Sequence, residues 1–288
     1  MSAFTKQFSD EDRAAYRKAQ QDEAQARLTA AVASLQSTEG FQAWLRARAR
    51  FHNYSFNNTL LILAQNPDAT RVAAASTWKE LGRWPAKGST ALRIFAPIEW
   101  WIGCDESDDG AQWNAKRKRW QRKVRSFKLV PVFDVGQTTG EDLPAPPLPA
   151  PLDGDSHAEL EPKLLALAAE LGFTVGTETL REAGGYCMPE AKRIVLSDAL
   201  SPNGRVRVLV HELAHALGIG YKDFGRATAE VLVESVTYIV LSGAGFDLDA
   251  ASVPYVAGWA GLDDTQARLE QFASKVDEVA RRIEGAIR

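Results

Sequence analysis

Two histidines and a glutamate interrupt an apolar stretch of the chain and restrict how that stretch can fold. The stretch is RVRVLVHELAHALGIG, residues 205–220, and its polar side chains are His211, Glu212 and His215. A Ser-Pro pair, favourable for a helix start, precedes it, and two glycines stand where a helix should end. The sequence therefore predicts one helix over residues 202–217 with polar groups on an apolar surface.

Histidines four residues apart project from the same face of a helix and can hold one metal ion. His211 and His215 have this spacing, and Glu212 lies beside the pair, where a general base can reach water without binding the metal. The pattern is the H-E-x-x-H motif of zinc peptidases. A chance match on a solvated helix is the alternative, but the apolar flanks favour a buried site, in which a metal compensates the polar groups.

A catalytic zinc site needs a third protein ligand, and a second helix supplies candidates. Residues 227–240, ATAEVLVESVTYIV, are mostly apolar, and their only acidic residues are Glu230 and Glu234, which are four residues apart. One carboxylate can bind the metal while the other hydrogen-bonds a ligating imidazole. The residues favour Glu230 as the ligand and leave the swapped assignment, with Glu234 as the ligand, open.

Hydrolysis also requires a donor that stabilises the developing oxyanion. Tyr221 lies between the two motifs, and Tyr186 lies on a predicted edge strand, so both are candidates. The strand that carries Tyr186 is also a place where an extended substrate could add by strand pairing.

The charge distribution divides the chain into two modules. Residues 1–135 contain 21 Lys and Arg against 14 Asp and Glu, a balance of +7, whereas the remaining residues contain 13 against 23, a balance of −10. Residues 136–156 carry five prolines and predict an extended linker. We therefore predict domains over residues 1–135 and 157–288, with different partners.

Predicted helices and strands are segregated along both modules, which indicates an α+β fold class. In the first module helices precede two apolar runs, ALRIFAPIEWWI and SFKLVPVFDV, which predict an antiparallel pair. In the second module a helix and short strands precede the histidine helix and the glutamate helix. This order resembles that of a minimal zincin with a small sheet.

Basic residues alternate with aromatic residues in the first module, as expected of a surface that binds single-stranded DNA. Large aromatic residues are also usual in protein cores, so Trp78 has two interpretations. The interleaved candidates are Arg48, Tyr54, Trp78, Lys79, Arg83, Trp84 and Lys87. A further basic run, residues 116–125, encloses Trp120 and has the same composition, and the alternative for it is a solvated hairpin that balances the acidic segment CDESDD.

Both halves resemble known families. The HELAH motif followed by a glutamate helix resembles minimal gluzincin peptidases, including the ImmA/IrrE-like group. The front half resembles the N-terminal ssDNA-binding domain of ArdC-type antirestriction proteins. The pattern that carries this second likeness is Tyr54-Ser55, Asn58, Trp78, Gly82-Arg83, Lys87-Gly88 and the run FDVGQT.

The resemblance implies roles for particular residues. It implies zinc ligation by His211, His215 and Glu230, catalysis by Glu212 and a supporting position for Glu234. It also implies DNA contacts by the matched residues of the front half, to which it adds Asn58. One departure is Cys187, which stands where many relatives carry an aromatic residue.

The ArdC-like front half together with the zinc motif of the second half predicts an ssDNA-binding, zinc-dependent metallopeptidase-like protein, connected with antirestriction or with protection of mobile DNA. One alternative is an ssDNA-shielding protein with a structural or vestigial zinc site, and another is a regulatory protease that cleaves a repressor. The expected partners are single-stranded DNA and an unidentified protein substrate. Two cysteines, a polar N-terminus and no long apolar run favour the cytoplasm and argue against a membrane.

Overall fold

Helices and strands occupy separate stretches of the chain. The computed structural model describes residues 10–35, 37–51, 53–143, 153–181, 183–248 and 266–288. Its helices are α1 (Asp10–Ser34), α2 (Thr38–Arg50), α3 (Phe56–Gln65), α4 (Ala75–Glu80), α5 (Leu160–Glu170), α6 (Pro202–Ala216), α7 (Tyr221–Phe224), α8 (Arg226–Ala244) and α9 (Gln266–Ile287). Its strands are β1 (Val72–Ala73), β2 (Arg83–Pro85), β3 (Leu92–Gly103), β4 (Ala111–Asn114), β5 (Arg119–Asp134), β6 (Thr138–Gly140), β7 (Thr174–Glu178), β8 (Gly185–Met188) and β9 (Arg193–Ser197). This arrangement confirms the α+β fold class.

The chain forms two compact units whose limits differ from the predicted domains. The first unit comprises residues 1–28 and 64–141, and the second comprises residues 29–63 and 142–288. The predicted division at residue 135 places helices α2 and α3 in the first domain, whereas α2 and nearly all of α3 belong to the second unit. The physical reason is a buried ion-pair group that joins α2 to α9 within the second unit, as described below.

The first unit is built on an antiparallel sheet. Strands β3 and β5 pair over their whole shared length, from Leu92 opposite Val132 to Gly103 opposite Gln121. Strands β1 and β4 also pair with β5 in antiparallel orientation. The pairing of the two apolar runs is the arrangement that their alternating apolar residues predict.

The predicted linker, residues 136–156, contains ordered structure at both ends. Strand β6 lies inside it and pairs with β2. At the other end the Asn203 side chain donates a hydrogen bond to Ser156 Oγ at 3.1 Å, and the backbone of Asn203 donates to Gly154 at 2.9 Å. Residues 144–152 lie outside the described residues, so an extended linker remains a prediction only for that segment.

The second unit buries helices α6 and α8 against each other and against a small sheet. Strand β9 is central, with β7 parallel and β8 antiparallel to it. Helix α6 begins as the sequence predicts, because the Ser201 hydroxyl accepts a hydrogen bond from the Gly204 N–H at 3.1 Å and Pro202 occupies the first turn. The apolar side chains of α6 and α8 are almost all buried.

The ion-pair group that ties α2 to α9 centres on Arg48, which is fully buried. Its Nε donates to Asp277, and its two terminal nitrogens donate to the Glu284 carboxylate at 3.2 and 3.0 Å. Arg281 of α9 also donates to the backbone carbonyl of Tyr54. A buried guanidinium requires such partners, which holds residues 29–63 in the second unit.

Within the described residues, one helix is long and apolar enough to pass a length-and-composition test for a membrane span. It is α8, and 67% of the tested window is buried inside the protein. The helix also carries the two glutamates that face α6. Its apolar composition is thus explained by its place in the core of the second unit.

Candidate functional site

Helices α6 and α8 bring two imidazoles and a carboxylate together in the second unit. His211 and His215 lie one turn apart on α6, and Glu230 faces them from α8. Their ligand atoms all lie within 4.8 Å of one another. The Nε2 atoms of the two histidines stand 3.6 and 3.8 Å from the Glu230 carboxylate oxygens. A metal ion of tetrahedral preference needs a cluster of this kind.

Both imidazoles are held by a hydrogen bond at the nitrogen that points away from Glu230. His211 Nδ1 bonds Glu234 Oε1 at 2.9 Å, and His215 Nδ1 bonds the Ile219 carbonyl at 2.8 Å. The second bond depends on the turn after α6, where Gly218 adopts a φ of +99° that suits glycine. Both Nε2 atoms are therefore oriented into the cluster, as in metal sites whose histidines are fixed by outer partners.

The two glutamates of α8 have different surroundings, which favours one of the assignments left open by the sequence. Glu230 contacts the Nε2 side of both histidines, whereas Glu234 is mostly buried behind His211. Arg207 lies 3.8 Å from the other oxygen of Glu234. The geometry suits Glu230 as a ligand and Glu234 as the support of His211.

Burial and neighbouring charges shift the pKa values of Glu212, His211 and His215. Burial raises the pKa of the Glu212 carboxyl to about 7, against the lowering effect of His211 and with a smaller rise from Glu230. Burial also lowers the pKa of His215. For His211, burial lowers the pKa, but the hydrogen bond and the charge of Glu234 outweigh it and the net shift is upward. A carboxylate with a pKa near neutrality suits proton transfer.

The two tyrosine candidates occupy different places. The Tyr221 hydroxyl donates to Glu230, and its ring packs edge-on against His215 with centroids 5.2 Å apart. The Tyr186 hydroxyl instead donates to Glu178 on β7 at 3.3 Å. The structure thus places Tyr221, and not Tyr186, against the ligand cluster.

Cys187 on β8 lies beside the cluster without belonging to it. Its thiol is partly buried, and burial together with the charge of Glu212 raises its pKa to about 12. A thiolate is the form that binds metals, and this environment strongly disfavours it. The departure from the family pattern at this position therefore leaves the ligand set unchanged.

Sequence reasoning missed two contacts that shape the cluster. Arg207 lies four residues before His211, so helical spacing could have identified it as a partner for the glutamate helix. The Ile219 carbonyl, which fixes His215, is a backbone group whose role depends on the turn geometry. A residue-type pattern gives no sign of it.

The DNA-binding residues expected in the second unit are largely enclosed, and one needs correction. Arg48 is fully buried in ion pairs with Asp277 and Glu284, so its guanidinium does not face a nucleic acid. Tyr54 and Asn58 are half-buried. The sequence pattern could not separate a buried arginine from a surface one.

The first unit holds the remaining candidates, and a second correction concerns Trp78. Its ring is buried, and its Nε1–H donates to the Phe133 carbonyl at 2.8 Å, so it belongs to the core. Arg83 is occupied in holding β2 to β6, since its Nε and one terminal nitrogen bond Thr138 at 2.9 and 3.1 Å.

Three of the expected DNA-binding residues are exposed: Trp84, Lys79 and Lys87. Trp84 is a half-exposed ring on β2. Lys79 lies in the last turn of the short helix α4, and Lys87 lies two residues after β2. These three side chains offer an aromatic face with positive charges near it in sequence.

Comparison with known proteins finds relatives for both parts of the chain. Residues 15–133 match the family described as the N-terminal domain of anti-restriction factor ArdC. The uncharacterized protein pXO2-81 of Bacillus anthracis is 26% identical over 265 residues, and the alignment covers 81% of this chain and 45% of that protein. The chain thus spans less than half the length of this relative.

Two crystal structures of the antirestriction protein ArdC from plasmid R388, one metal-free and one with Mn(II) bound, are also similar. They align at 19% and 17% identity, each with a TM-score of 0.47, and cover 81% of this chain and 85% of that chain. The likeness of residues 157–288 to gluzincin peptidases stays a prediction. Residues 15–133 match the ArdC N-terminal domain family, as the sequence pattern predicts.

Proposed function

We propose that this protein couples an ssDNA-binding module to a zinc-dependent, peptidase-like centre that acts in antirestriction or in protection of incoming DNA. One observation carries the proposal: both imidazoles of the HELAH helix are fixed through Nδ1, with Nε2 turned toward Glu230. An ordinary buried histidine pair does not need this arrangement. Two fixed imidazoles and a carboxylate are a ligand set for zinc with an open position.

The donor set fits a divalent ion. Two imidazoles with one carboxylate are typical of catalytic zinc, and the cluster is partly exposed, which leaves room for a substrate. The Mn(II) in the related ArdC crystal structure is a property of that protein. For this chain we propose zinc, because imidazole ligands suit zinc better than manganese.

The chain's own residues divide the work of hydrolysis. The ion, when bound, acts as a Lewis acid that activates water and polarises a peptide carbonyl. Glu212 accepts the proton of the attacking water and returns it to the leaving amine, for which its raised pKa is suited. The Tyr221 hydroxyl is the donor nearest the cluster and stabilises the oxyanion once released from Glu230.

A second candidate function is shielding of DNA without hydrolysis. The observation that favours it is that the family match covers residues 15–133, which include no part of the metal cluster. In this candidate the ion has a structural role, and activity depends on the DNA-binding module alone.

Glu212→Gln distinguishes the two candidates. If the centre hydrolyses a protein, the variant should retain its metal and lose at least about a hundredfold in peptidase rate, since a general base contributes about 10² to 10⁴. Antirestriction activity in cells, measured as transformation with unmodified DNA, should fall in parallel. Antirestriction activity at the wild-type level, with peptidase activity abolished, would instead establish shielding.

The DNA-binding proposal for the first unit is tested at Trp84. Trp84→Ala should weaken binding of a labelled oligonucleotide by about 1 to 3 kcal/mol with little change in salt dependence, because stacking involves no counterion release. Lys79→Gln with Lys87→Gln should instead lower the salt slope by about 1.4. Trp78→Phe is a matched control, since a buried ring should alter stability and not the salt slope. Equal affinities for wild type and the Trp84 variant would exclude stacking at this position.

A further inference from the structure

Strands β3, β4 and β5 form a long hairpin that extends beyond the core of the first unit. At its base Leu92, Ile94 and Val132 are buried. Toward the far end the strands keep large apolar side chains although they are exposed: Trp100 is 42% exposed and Trp113 is 54% exposed. Exposed aromatic side chains at such a density indicate a surface that is covered by a partner.

The strand register places three tryptophans on one face. Directly paired residues of antiparallel strands project to the same side, and residues two apart along a strand share that side. Trp113 pairs with Trp120, and Trp100 pairs with Val124, four residues from Trp120 along β5. The Trp113 and Trp120 rings also touch edge-on, with centroids 5.6 Å apart. We call this side, with Ile98, Trp100, Ile102, Trp113, Trp120 and Val124, the tryptophan face.

The tryptophan face is the outward continuation of the core face of the sheet. Leu92 and Ile94 of β3 lie on the same side as Ile98 and Trp100, because all four are at even positions in an unbroken register. At the base of the hairpin, the side chains Leu92, Ile94 and Val132 on this side are buried. Farther out it carries tryptophan rings, which span about 14 Å along β5 between the levels of Trp100 and Trp120.

The β4–β5 part of the hairpin is basic, whereas the connection between β3 and β4 carries the acidic residues Asp105, Glu106, Asp108 and Asp109. Residues 111–133 contain eight Lys and Arg and no Asp or Glu. Arg122 and Lys128 belong to the same side as the tryptophans, by the register that pairs them with Ile102 and Ala96. Glu99 lies on the opposite side of the sheet, where its carboxylate forms an ion pair with the Lys123 ammonium group.

We propose that the tryptophan face binds a strand of single-stranded nucleic acid. Bases stack on Trp100, Trp113 and Trp120, and phosphates lie against Arg122 and Lys128. Flat rings beside cations match a polyanion with exposed bases, whereas an acidic protein would need few stacked rings. This inference takes its class of partner from the proposed function and locates a second contact surface, outside the stretch around Trp84. Of the two interpretations of residues 116–125, it favours nucleic-acid binding over a solvated hairpin.

The opposite side of the same hairpin supplies a matched control. Trp101 and Phe127 lie there and are 39% and 55% exposed, nearly the same as Trp100 and Trp113. The full-length protein should be titrated with a fluorescein-labelled oligothymidylate, with anisotropy as the readout. Trp100→Ala with Trp113→Ala should weaken binding at least about tenfold, as expected for loss of stacking. Trp101→Ala with Phe127→Ala should change it less than about threefold, which tests for a general loss of hairpin structure.

The charge contribution has its own readout. Arg122→Gln with Lys128→Gln should lower the slope of log affinity against log salt by about 1.4, whereas the Trp100/Trp113 variant should leave the slope unchanged. Equal losses of affinity in the two aromatic variants would overturn the inference. It would also be overturned if the Trp100/Trp113 variant bound the oligonucleotide as tightly as wild type in an assay that detects weaker binding by Trp84→Ala. Failure of the wild type to bind any oligonucleotide would overturn both this inference and the proposed DNA-binding function. Weakened binding to phosphatidylserine vesicles without weakened oligonucleotide binding would identify the face as a membrane contact instead.

Discussion

Glu230→Ala protein should be isolated with less than about a tenth of the zinc found in wild type. The carboxylate is the third ligand of the proposed set and faces both Nε2 atoms. Its loss should reduce zinc affinity by more than the roughly 10- to 100-fold that loss of an outer hydrogen-bond partner costs. Metal content is measured by atomic emission after dialysis, and affinity by competition with a chromogenic chelator.

Glu234→Ala is the matched variant, since it removes the other carboxylate of α8 at the same spacing. It should keep the ion but bind it about 10- to 100-fold more weakly, because His211 loses the partner that orients it. Full zinc retention in Glu230→Ala together with complete loss in Glu234→Ala would reverse the ligand assignment. Circular dichroism of both variants separates these outcomes from unfolding.

Arg48→Met should destabilise the second unit by about 3 to 5 kcal/mol. The substitution leaves the largely buried Glu284 carboxylate without its guanidinium partner and leaves Asp277 with Arg281 alone. Arg46→Ala on the same helix is the control, because that side chain is exposed and its loss should cost about 0.5 kcal/mol or less. Urea unfolding followed by far-UV circular dichroism gives both values.

A rescue variant tests the stated cause. Arg48→Met combined with Asp277→Asn and Glu284→Gln removes the uncompensated charges and should recover part of the lost stability. If Arg48→Met unfolds at the same urea concentration as wild type, the ion-pair group does not hold residues 29–63 in the second unit. Equal destabilisation by the single and the triple variant would indicate lost packing of the arginine stem.

The grouping of His211, His215 and Glu230 could be predicted from the sequence because the information for it is local. The spacing of His211 and His215 and the Ser-Pro start of α6 are encoded within one helix, and Glu230 and Glu234 are encoded within another. The choice between those two glutamates could not come from spacing, since both lie on one helix face. It depends on how α8 packs against α6, which only the folded chain determines.

The side chains that could contact DNA were harder to predict, because the burial of a residue depends on distant parts of the chain. Arg48 alternates with aromatic residues as a DNA-binding arginine would, yet its partner Asp277 is 229 residues away. Trp78 and Trp84 occur in one short segment, and the fold buries the first and exposes the second. The pairing of β3 with β5 was predictable from the apolar runs. The side on which the three tryptophans meet follows from the register, which the sequence leaves undetermined.

The ion-pair group between α2 and α9 has a consequence for the order of events during synthesis. The ribosome releases Arg48 long before it makes Asp277, and at about 5 to 20 residues per second the interval is about ten to fifty seconds. Until α9 emerges, α2 has no carboxylates to pair with and its arginine stays hydrated. Fragments that end before α9 should therefore be poor reporters of the final state of the nascent protein, because Arg48 in them lacks both of its carboxylate partners.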